Sequence, residues 1–367
     1  MKKNLSILLV MFMIVALIVT GCGTKQPAAP TPQPEKPKYK AGFIYVGPIG
    51  DGGYTYAHNE GRKYLEQKLG IPTIVKESVP ETQEVEKVIN DMIDQGANII
   101  FATSFGFMDY VEKVAKNHPN VKFFHCSGYK TAANMTNYFG KMEEARYLSG
   151  IVAGMKTKSN KIGYVGAFNI PEVVRGINAF ALGVQSVNPK ATVEVVWTQT
   201  WYDPAKEKEA AKALLAKGID VIAQHQDTAG PQQAAEEKGV WSIGYNTDMT
   251  NTAPKAHMTS PVWNWGVYYV KAVQSVMDGT FKPEPYLGDM KGGLVDLSPL
   301  TANAPAGAKE KVEAAKADIV SGKNLIFTGP LKDNTGTLRI KAGETMSIQD
   351  QYSSFDWFVA GVIGKVK

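Results

Sequence analysis

Short apolar runs alternate with helical patterns twice along the chain, and this alternation constrains the fold more than any other feature. The first series of apolar runs covers residues 41–46, 71–75, 97–103 and 121–126. Between runs, apolar residues recur at spacings of three and four, as at Val85, Val88, Ile89, Met92 and Ile93. Strands that alternate with amphipathic helices form parallel sheets covered by those helices. The sequence therefore predicts an α/β fold.

The alternation restarts after a predicted helix over 141–155. Strands are predicted at 161–165, 192–197, 220–223 and 241–244, and helices at 171–187, 204–217 and 230–238. Residues 91–102 and 213–223 each combine a helix end, a glycine and a strand, so the two halves resemble each other locally. Two such lobes would present polar strand ends across a cleft. Beyond residue 254 the patterns predict a helix at 263–277 and short strands at 325–327 and 337–340, without assigning them to a lobe.

The N-terminus has the pattern of an export signal. Lys2 and Lys3 precede an apolar run over 5–19, and Val-Thr-Gly then leads directly to Cys22. This pattern resembles a bacterial lipobox, in which the cysteine is lipidated. An uncleaved anchor is the alternative, but the run is shorter than the roughly 20 apolar residues that span a bilayer. Both interpretations place the folded body outside the cytoplasmic membrane, on a cell surface or in a periplasm.

Five prolines between residues 22 and 38 predict an extended tether rather than a packed segment. The predicted organisation is a lipoprotein signal peptide at 1–21, the proline-rich tether at 22–38, an N-terminal α/β lobe at 39–157 and a C-terminal α/β lobe at 158–253. Residues 254–367 are expected to form crossover segments that complete both lobes.

Charge and cysteine content exclude several classes of function. The net charge of +5, without a basic run interleaved with aromatic residues, argues against nucleic-acid binding. With Cys22 acylated, Cys126 has no partner, so no disulfide framework is available. Cys126 lies in an apolar run and is expected to be a buried thiol.

Motifs for catalysis or metal binding are missing from the sequence. The five histidines form no metal-ligand spacing, and no nucleophile elbow or phosphate loop occurs in the right context. The segment Gly50-x-Gly52-Gly53 is rich in glycine, but it has no third glycine at the spacing that a dinucleotide-binding fingerprint requires. Glu143 and Glu144 are adjacent on a helix and are expected to be solvated. His225 lies at a predicted strand end, where ligand contact and a structural role are equally supported. We therefore expect no enzyme activity, no cofactor and no metal.

Aromatic and amide side chains accumulate at the predicted strand ends. The first of these segments, residues 51–61, follows a strand and a glycine-rich turn and precedes a helical pattern over 62–69. Ligands of open α/β sheets bind at the carboxyl ends of the strands. Aromatic faces from two lobes suit a flat heteroaromatic ligand, because each stacked base contributes on the order of 1 to 3 kcal/mol.

Several motifs in this order resemble the basic membrane protein family, the purine-nucleoside receptor lipoproteins of ABC transporters. They are the loop at 51–61, Glu144-Ala-Arg-Tyr-Leu-Ser-Gly150, Gly163-Tyr-Val-Gly166, Trp201-x-Asp203, Ile243-Gly-Tyr-Asn-Thr-Asp248, the 327–336 segment and Asp356-Trp-Phe-Val-x-Gly361. The resemblance covers nearly all of the mature chain. It implies two Rossmann-like lobes of the type I periplasmic-binding-protein fold, with the ligand in the interlobe cleft. It also implies capture by hinge closure and delivery to ABC permease and ATPase subunits by a monomeric, lipid-anchored protein.

The resemblance also suggests where the ligand lies. Tyr54 and Thr55 stand where nucleoside-binding members have a Phe-Asn pair, and Trp201 stands where they have a second Phe, so the base would lie between Tyr54 and Trp201. The ribose-binding Asp of the family falls on Asn246, and a nearby Lys falls on Trp263. These departures favour a free purine base, with adenine as the leading candidate, over a nucleoside. The candidate ligand-binding residues are Tyr54, Thr55, Ser104, Phe105, Phe168, Trp201, Gln226, Asp227, Asn246 and Trp263.

Three alternatives stay open from the sequence. In the first, the ligand is a nucleoside or another ring system such as a flavin. In the second, the chain is a surface enzyme that acts on nucleosides through His225 and Asp227. In the third, it is an adhesin or signalling lipoprotein without a small ligand.

Overall fold

The computed structural model describes residues 38–366. The predicted signal peptide, the lipidation at Cys22 and the tether up to residue 37 lie outside this range. Within it, no helix is both long enough and apolar enough to cross a bilayer.

Strands and helices alternate through the described chain up to residue 156. In chain order they are β1 (Ala41–Ile44), α1 (Tyr54–Leu69), β2 (Thr73–Lys76), α2 (Glu84–Asp94), β3 (Ile99–Ala102), α3 (Met108–Asn117), β4 (Lys122–Cys126), β5 (Met135–Gly140) and α4 (Met142–Lys156). Short 3₁₀ turns at Ile49–Asp51 and Phe105–Phe107 precede α1 and α3.

The alternation continues with β6 (Lys161–Gly166), α5 (Pro171–Val187), β7 (Thr192–Trp197), α6 (Pro204–Leu215), β8 (Val221–His225), α7 (Gly230–Lys238) and β9 (Trp241–Ile243). Helices α5 and α6 begin at proline, whose missing amide costs nothing in the first helical turn. The Asp203 carboxylate additionally accepts the Lys206 amide at 3.0 Å and caps α6.

Shorter elements follow. They are β10 (His257–Thr259), β11 (Pro261–Trp263), α8 (Trp265–Met277), β12 (Tyr286–Gly288), β13 (Val295–Leu297), α9 (Ala308–Val320), β14 (Leu331–Lys332), β15 (Leu338–Ile340), α10 (Ile348–Ser353) and β16 (Val362–Ile363).

Two six-stranded sheets organise these elements. The first has the order β12-β5-β4-β3-β1-β2, the second has the order β10-β9-β8-β6-β7-β16, and neighbouring strands in both are parallel. The predicted α/β class with two parallel sheets is therefore confirmed. In each sheet the first strand of the series, β1 or β6, has the next two strands on opposite sides. This is the topological switch point at which open sheets bind ligands.

The C-terminal segment contributes strands to both sheets. Strand β12 pairs with β5 in the first sheet, whereas β10 and β16 pair with β9 and β7 in the second. Helices α4 and α5 pack closely where glycines face backbone. A β-carbon at Gly150 would lie 2.1 Å from the Phe180 carbonyl oxygen, and one at Gly183 would lie 2.0 Å from that of Tyr147.

Three local predictions were wrong. Helix α1 begins at Tyr54 rather than near Arg62, because the Asp51 carboxylate accepts amides of its first turn. Trp263 ends strand β11, where it pairs with Val295, instead of opening a helix. Residues 325–327 form no strand, since Ile326 has a φ of 51° and interrupts an extended backbone.

Glu143 was also predicted wrongly, because it is buried rather than solvated. Its Oε2 lies 3.0 Å from Nε of Arg175, and both side chains are almost fully enclosed. The guanidinium stacks on the Tyr352 ring at 3.6 Å and donates to the Gln351 carbonyl at 3.2 Å. This cluster attaches α10 to α4 and α5.

Candidate ligand-binding site

A cavity lies where the carboxyl ends of the two sheets face each other. Its free space is about 20 Å³, room for roughly one water molecule, so a ligand of the size of a purine requires the two walls to move apart. Its lining residues are Val46, Tyr54, Ser104, Phe105, Ser127, Glu172, Trp201, His225, Asp227 and Tyr245. Most of them follow directly after a strand, as the topology of parallel sheets requires.

Tyr54 is the first residue of α1 and forms part of the wall contributed by the first sheet. Its ring meets the His58 ring edge-on at a centroid distance of 4.4 Å, and its hydroxyl donates to Sγ of Cys126 at 3.5 Å. Cys126 is a buried free thiol, as predicted. Behind Tyr54, Nδ1 of the buried His58 lies 2.5 Å from the Tyr269 hydroxyl, which anchors α1 to α8.

The start of α1 is held by the carboxylate of Asp51. This carboxylate accepts the amides of Gly53 at 2.8 Å, Thr55 at 2.8 Å and Tyr56 at 2.9 Å. Burial raises the pKa of Asp51 to about 6, although the three amides act in the opposite direction. Asp51 therefore positions Tyr54 without lining the cavity.

Ser104 and Phe105 form a second part of this wall, after β3. The Ser104 hydroxyl donates to Oε1 of Glu81 at 2.5 Å, and the Gly106 amide donates to the same oxygen at 2.9 Å. Nε2 of His125 donates to the Ser104 carbonyl at 2.7 Å. Burial lowers the pKa of His125 to about 4, so this imidazole is neutral at pH 7.

The second sheet contributes the other wall. Trp201 follows β7 and packs against Phe168, with ring centroids 5.0 Å apart and planes at 61°. His225 ends β8, and its ring centroid lies 4.6 Å from that of Tyr245, which follows β9. Aromatic surface therefore borders the cavity from both sheets.

Glu172 bridges the two walls. Its Oε2 accepts the hydroxyl of Ser127, which follows β4, and its Oε1 lies 3.3 Å from Nε2 of His225. Burial lowers the pKa of His225 to about 4, so the neutral ring donates through Nε2. Burial alone would raise the pKa of Glu172, but its hydrogen bonds with His225 and Ser127 and the charge of Arg175 outweigh burial and hold the pKa below the usual value. Glu172 is therefore an anion at neutral pH.

Asp227 contributes a buried polar atom without a hydrogen-bond partner to the cavity. Its side chain is buried, and Oδ2 has no hydrogen-bond partner among residues 38–366. Burial, and then the charges of Asp51, Glu207 and Glu172, raise its pKa well above the usual range. A buried carboxyl without a partner is costly unless a ligand supplies the missing hydrogen bond.

The ten candidate residues separate into two groups in the structure. Tyr54, Ser104, Phe105, Trp201 and Asp227 line the cavity, whereas Thr55, Phe168, Gln226, Asn246 and Trp263 do not. Phe168 lies behind Trp201, and the Gln226 amide donates to the Thr198 hydroxyl at 2.6 Å. The buried Thr55 donates its backbone amide to Asp51.

Asn246 and Trp263 bind each other beside the cavity. Nε1 of Trp263 donates to Oδ1 of Asn246 at 3.0 Å, and Nδ2 of Asn246 donates to the Gln226 carbonyl at 3.1 Å. Both residues line a separate, open groove of about 610 Å³ next to α1 and α8. The Asn246 amide therefore uses one of its two N–H donors and one of its two acceptor lone pairs within the protein.

Sequence reasoning missed Val46, Ser127, Glu172 and Tyr245. Three of these come within two residues of the ends of β1, β4 and β9, so applying the strand-end rule to every strand would have found them. Glu172 is the second residue of α5, and no local signal distinguishes it from other carboxylates of first helical turns. No cluster of three or more potential metal ligands occurs in the described part of the chain.

Comparison with known proteins gives consistent matches. A family model described as "ABC transporter substrate-binding protein PnrA-like" matches residues 38–328. A purine-binding protein of Brucella abortus is 44% identical over 331 residues, which cover 90% of this chain and 94% of the relative. A Haloferax volcanii protein, provisionally named as a glucose-binding protein of an ABC transporter, is 36% identical over 327 residues, covering 89% and 81%.

The fold also matches solved structures. An ABC transporter solute-binding protein from Aeropyrum pernix superposes with a TM-score of 0.70 at 20% identity, covering 86% of this chain and 95% of that one. At this identity the match concerns the fold alone. It agrees with the periplasmic-binding-protein architecture that the family resemblance implied.

Proposed function

This chain belongs to the Bmp family of PnrA-like ABC transporter substrate-binding proteins, and from that premise we propose that it captures a purine nucleobase, with adenine as the leading candidate. Membership makes it a binding protein rather than an enzyme, with a small-molecule ligand and ABC permease and ATPase subunits as partners. Substrate-binding proteins of ABC importers act outside the cytoplasm.

One observation carries the proposal: an aromatic-bordered cavity at the switch points of both sheets contains a buried, unpartnered carboxyl, that of Asp227. Tyr54 and Trp201 approach from opposite sheets and offer ring surface for stacking, worth about 1–3 kcal/mol for each base. Every purine base carries a ring N–H that the Asp227 carboxyl would accept. The relative from Brucella abortus is named for purine binding, which supports the same ligand class.

A base fits better than a nucleoside because Asn246 is already engaged. Its Oδ1 accepts from Trp263, and its Nδ2 donates to a backbone carbonyl. An Asn in this state offers little to two ribose hydroxyls, and the large indole of Trp263 stands beside it. Sugar recognition would instead need several free polar groups, and the Asn246 amide is not one of them.

The proposed mechanism is binding without chemistry. Two lobes, at 39–157 and 158–253 with crossovers from 254–367, open to admit the base and close around it between Tyr54 and Trp201. The permease then recognises the closed form, which requires that the ligand bind the closed state more tightly. A lipid anchor at Cys22 would hold a monomeric receptor at the membrane.

The test is identification of the natural ligand. Mass spectrometry of compounds that co-purify with the full-length chain should find adenine or a related base, unchanged after prolonged incubation. Calorimetry with adenine, adenosine, guanine, riboflavin and glucose should rank adenine first. Tighter binding of adenosine than adenine would overturn the preference for a base, and binding of glucose alone would overturn the purine class.

A further inference from the structure

The hydroxyl hydrogen of Ser104 is committed away from the cavity. Oε1 of Glu81 lies 2.5 Å from the Ser104 Oγ and also receives the Gly106 amide at 2.9 Å. A carboxylate oxygen only accepts hydrogen bonds, so the serine must donate its single proton to Glu81. Toward the cavity, Ser104 then offers lone pairs only.

Ser127 is committed in the same way on the next strand end. Its hydroxyl donates to Oε2 of Glu172, and Nε2 of His225 donates to the other oxygen of that carboxylate. The N–H of the neutral His225 ring is therefore also engaged by Glu172 and is not available to a ligand. Ser127 and Glu172 present only acceptors to the cavity that both line.

From these commitments, and resting on the proposed function, we infer that the site selects purines with an amino group at the edge facing Ser104, Ser127 and Glu172, and rejects those with a carbonyl there. An amino group supplies two N–H donors to this acceptor surface. A carbonyl at the same position would place its lone pairs against those of the wall. The Asp227 carboxyl does not discriminate, because a ring N–H is common to both classes of base.

Glu81 is the residue that sets this selectivity without touching the ligand. It reaches Ser104 from the loop between β2 and α2, and a β-carbon at Gly106 would lie 2.5 Å from its carboxyl carbon, so the contact is close. Removing the carboxylate would free the Ser104 hydroxyl to rotate and donate. Glu81 is accordingly a positioning residue for specificity.

The first experiment compares three ligands by calorimetry with the full-length protein: adenine, hypoxanthine and unsubstituted purine. Adenine should bind at least about 10-fold more tightly than hypoxanthine, with purine between them, since a mismatched polar pair costs a factor of this order. Equal affinities for adenine and hypoxanthine would overturn the inference and leave the proposed function intact. Failure of all three to bind would overturn the proposed function itself.

The second experiment uses variants. Glu81→Ala should reduce the ratio of adenine to hypoxanthine affinity about 3-fold or more, whereas Glu84→Ala, an exposed glutamate on the neighbouring helix, should leave the ratio unchanged. Ser104→Ala should weaken adenine about 5-fold or more and leave purine unaffected. An unchanged ratio in Glu81→Ala, or equal losses for adenine and purine in Ser104→Ala, would contradict the inference.

Discussion

Gly53 lies directly against the backbone of Asp227, at the point where the two sheets' strand ends meet. A β-carbon at Gly53 would lie 2.3 Å from the Asp227 carbonyl oxygen and 2.9 Å from its carbonyl carbon. Next to this contact, the Thr247 hydroxyl donates to the Gly52 carbonyl at 2.6 Å. The approach of the two walls is thus limited by backbone meeting backbone, which only glycine permits here.

Gly53→Ala should therefore oppose closure around the ligand. The added methyl group must push the walls apart, so we expect about 10-fold weaker binding, mainly from faster dissociation, and less compaction on ligand addition in small-angle scattering. Gly50→Ala is the matched control, because a β-carbon there meets nothing within 4 Å. Ligand affinity and compaction that match the wild type in Gly53→Ala would show that this contact does not limit closure.

Trp201→Ala should weaken ligand binding about 5-fold to 150-fold, the range expected for losing one stacking contact of about 1–3 kcal/mol. The neighbouring Tyr202 is exposed and does not line the cavity, so Tyr202→Ala should bind normally. Calorimetry on both variants measures the effect. If the two variants bind alike, Trp201 is not part of the ligand site.

Asp51→Ala should lower both stability and affinity. Three amides at the start of α1 lose their acceptor, and loss of a helix cap costs about 0.5–2 kcal/mol. Tyr54 then loses its fixed position. Urea unfolding should show this loss, whereas Asp109→Ala, which removes an exposed ion pair with Lys130, should change stability by less than about 1 kcal/mol. Equal unfolding free energies for the two variants would argue against the capping role.

Glu207 predicts a pH dependence of stability. Its side chain is buried, and its Oε2 accepts a hydrogen bond from the Thr228 hydroxyl. Burial raises the pKa of Glu207 to about 7 from an ordinary value of 4.5. Between these values the folded state binds more protons than the unfolded state, so stability present at low pH is lost as pH rises from about 4.5 through 7. A difference of this size in pKa corresponds to a loss of about 3 kcal/mol.

Glu207→Gln should remove that contribution. Relative to the wild type, its free energy of unfolding should increase between pH 5 and pH 8, as measured by denaturant titration at several pH values. Glu209→Gln, on the exposed face of the same helix, should run parallel to the wild type. A parallel curve for Glu207→Gln as well would mean that Glu207 ionises normally in the folded protein.

Breaking the buried ion pair of Glu143 and Arg175 should destabilise the protein far more than breaking an exposed ion pair. Arg175→Met leaves a buried carboxylate without its cation, which costs about 3–5 kcal/mol. Lys212→Met, in an exposed pair with Glu209, should cost at most about 1 kcal/mol. In Arg175→Met, the additional change Glu143→Gln should restore part of the loss, and no restoration would indicate that packing against Tyr352 dominates.

Local signals predicted several elements well. Helices α5 and α7 have the bounds expected from the sequence, because proline at or near the first turn and Gly239, with a φ of 71°, mark their ends locally. Strands β10 to β13 and β16 escaped prediction, since each has two or three residues and pairs with a distant part of the chain. In strand β12, for example, Tyr286 pairs with Tyr138 of strand β5.

Which polar side chains face the cavity depended on such distant partners. Asn246 looked like a ligand contact, but its φ of 69° and its bonds to Trp263 and Gln226 hold its amide inside the protein. Glu172 drew no attention in the sequence, yet Ser127, 45 positions earlier, and His225 converge on it.

The sequence by itself determined the α/β class, the two parallel sheets and the strand ends that border the candidate site, because the periodicity of apolar residues and the turn residues act over a few positions. Only the tertiary structure decided which of those residues line the cavity and which of their hydrogen-bond donors remain available to a ligand. The reason is physical: side-chain orientation and hydrogen-bond commitment are set by partners such as Glu81 for Ser104 and Trp263 for Asn246, which no local pattern connects.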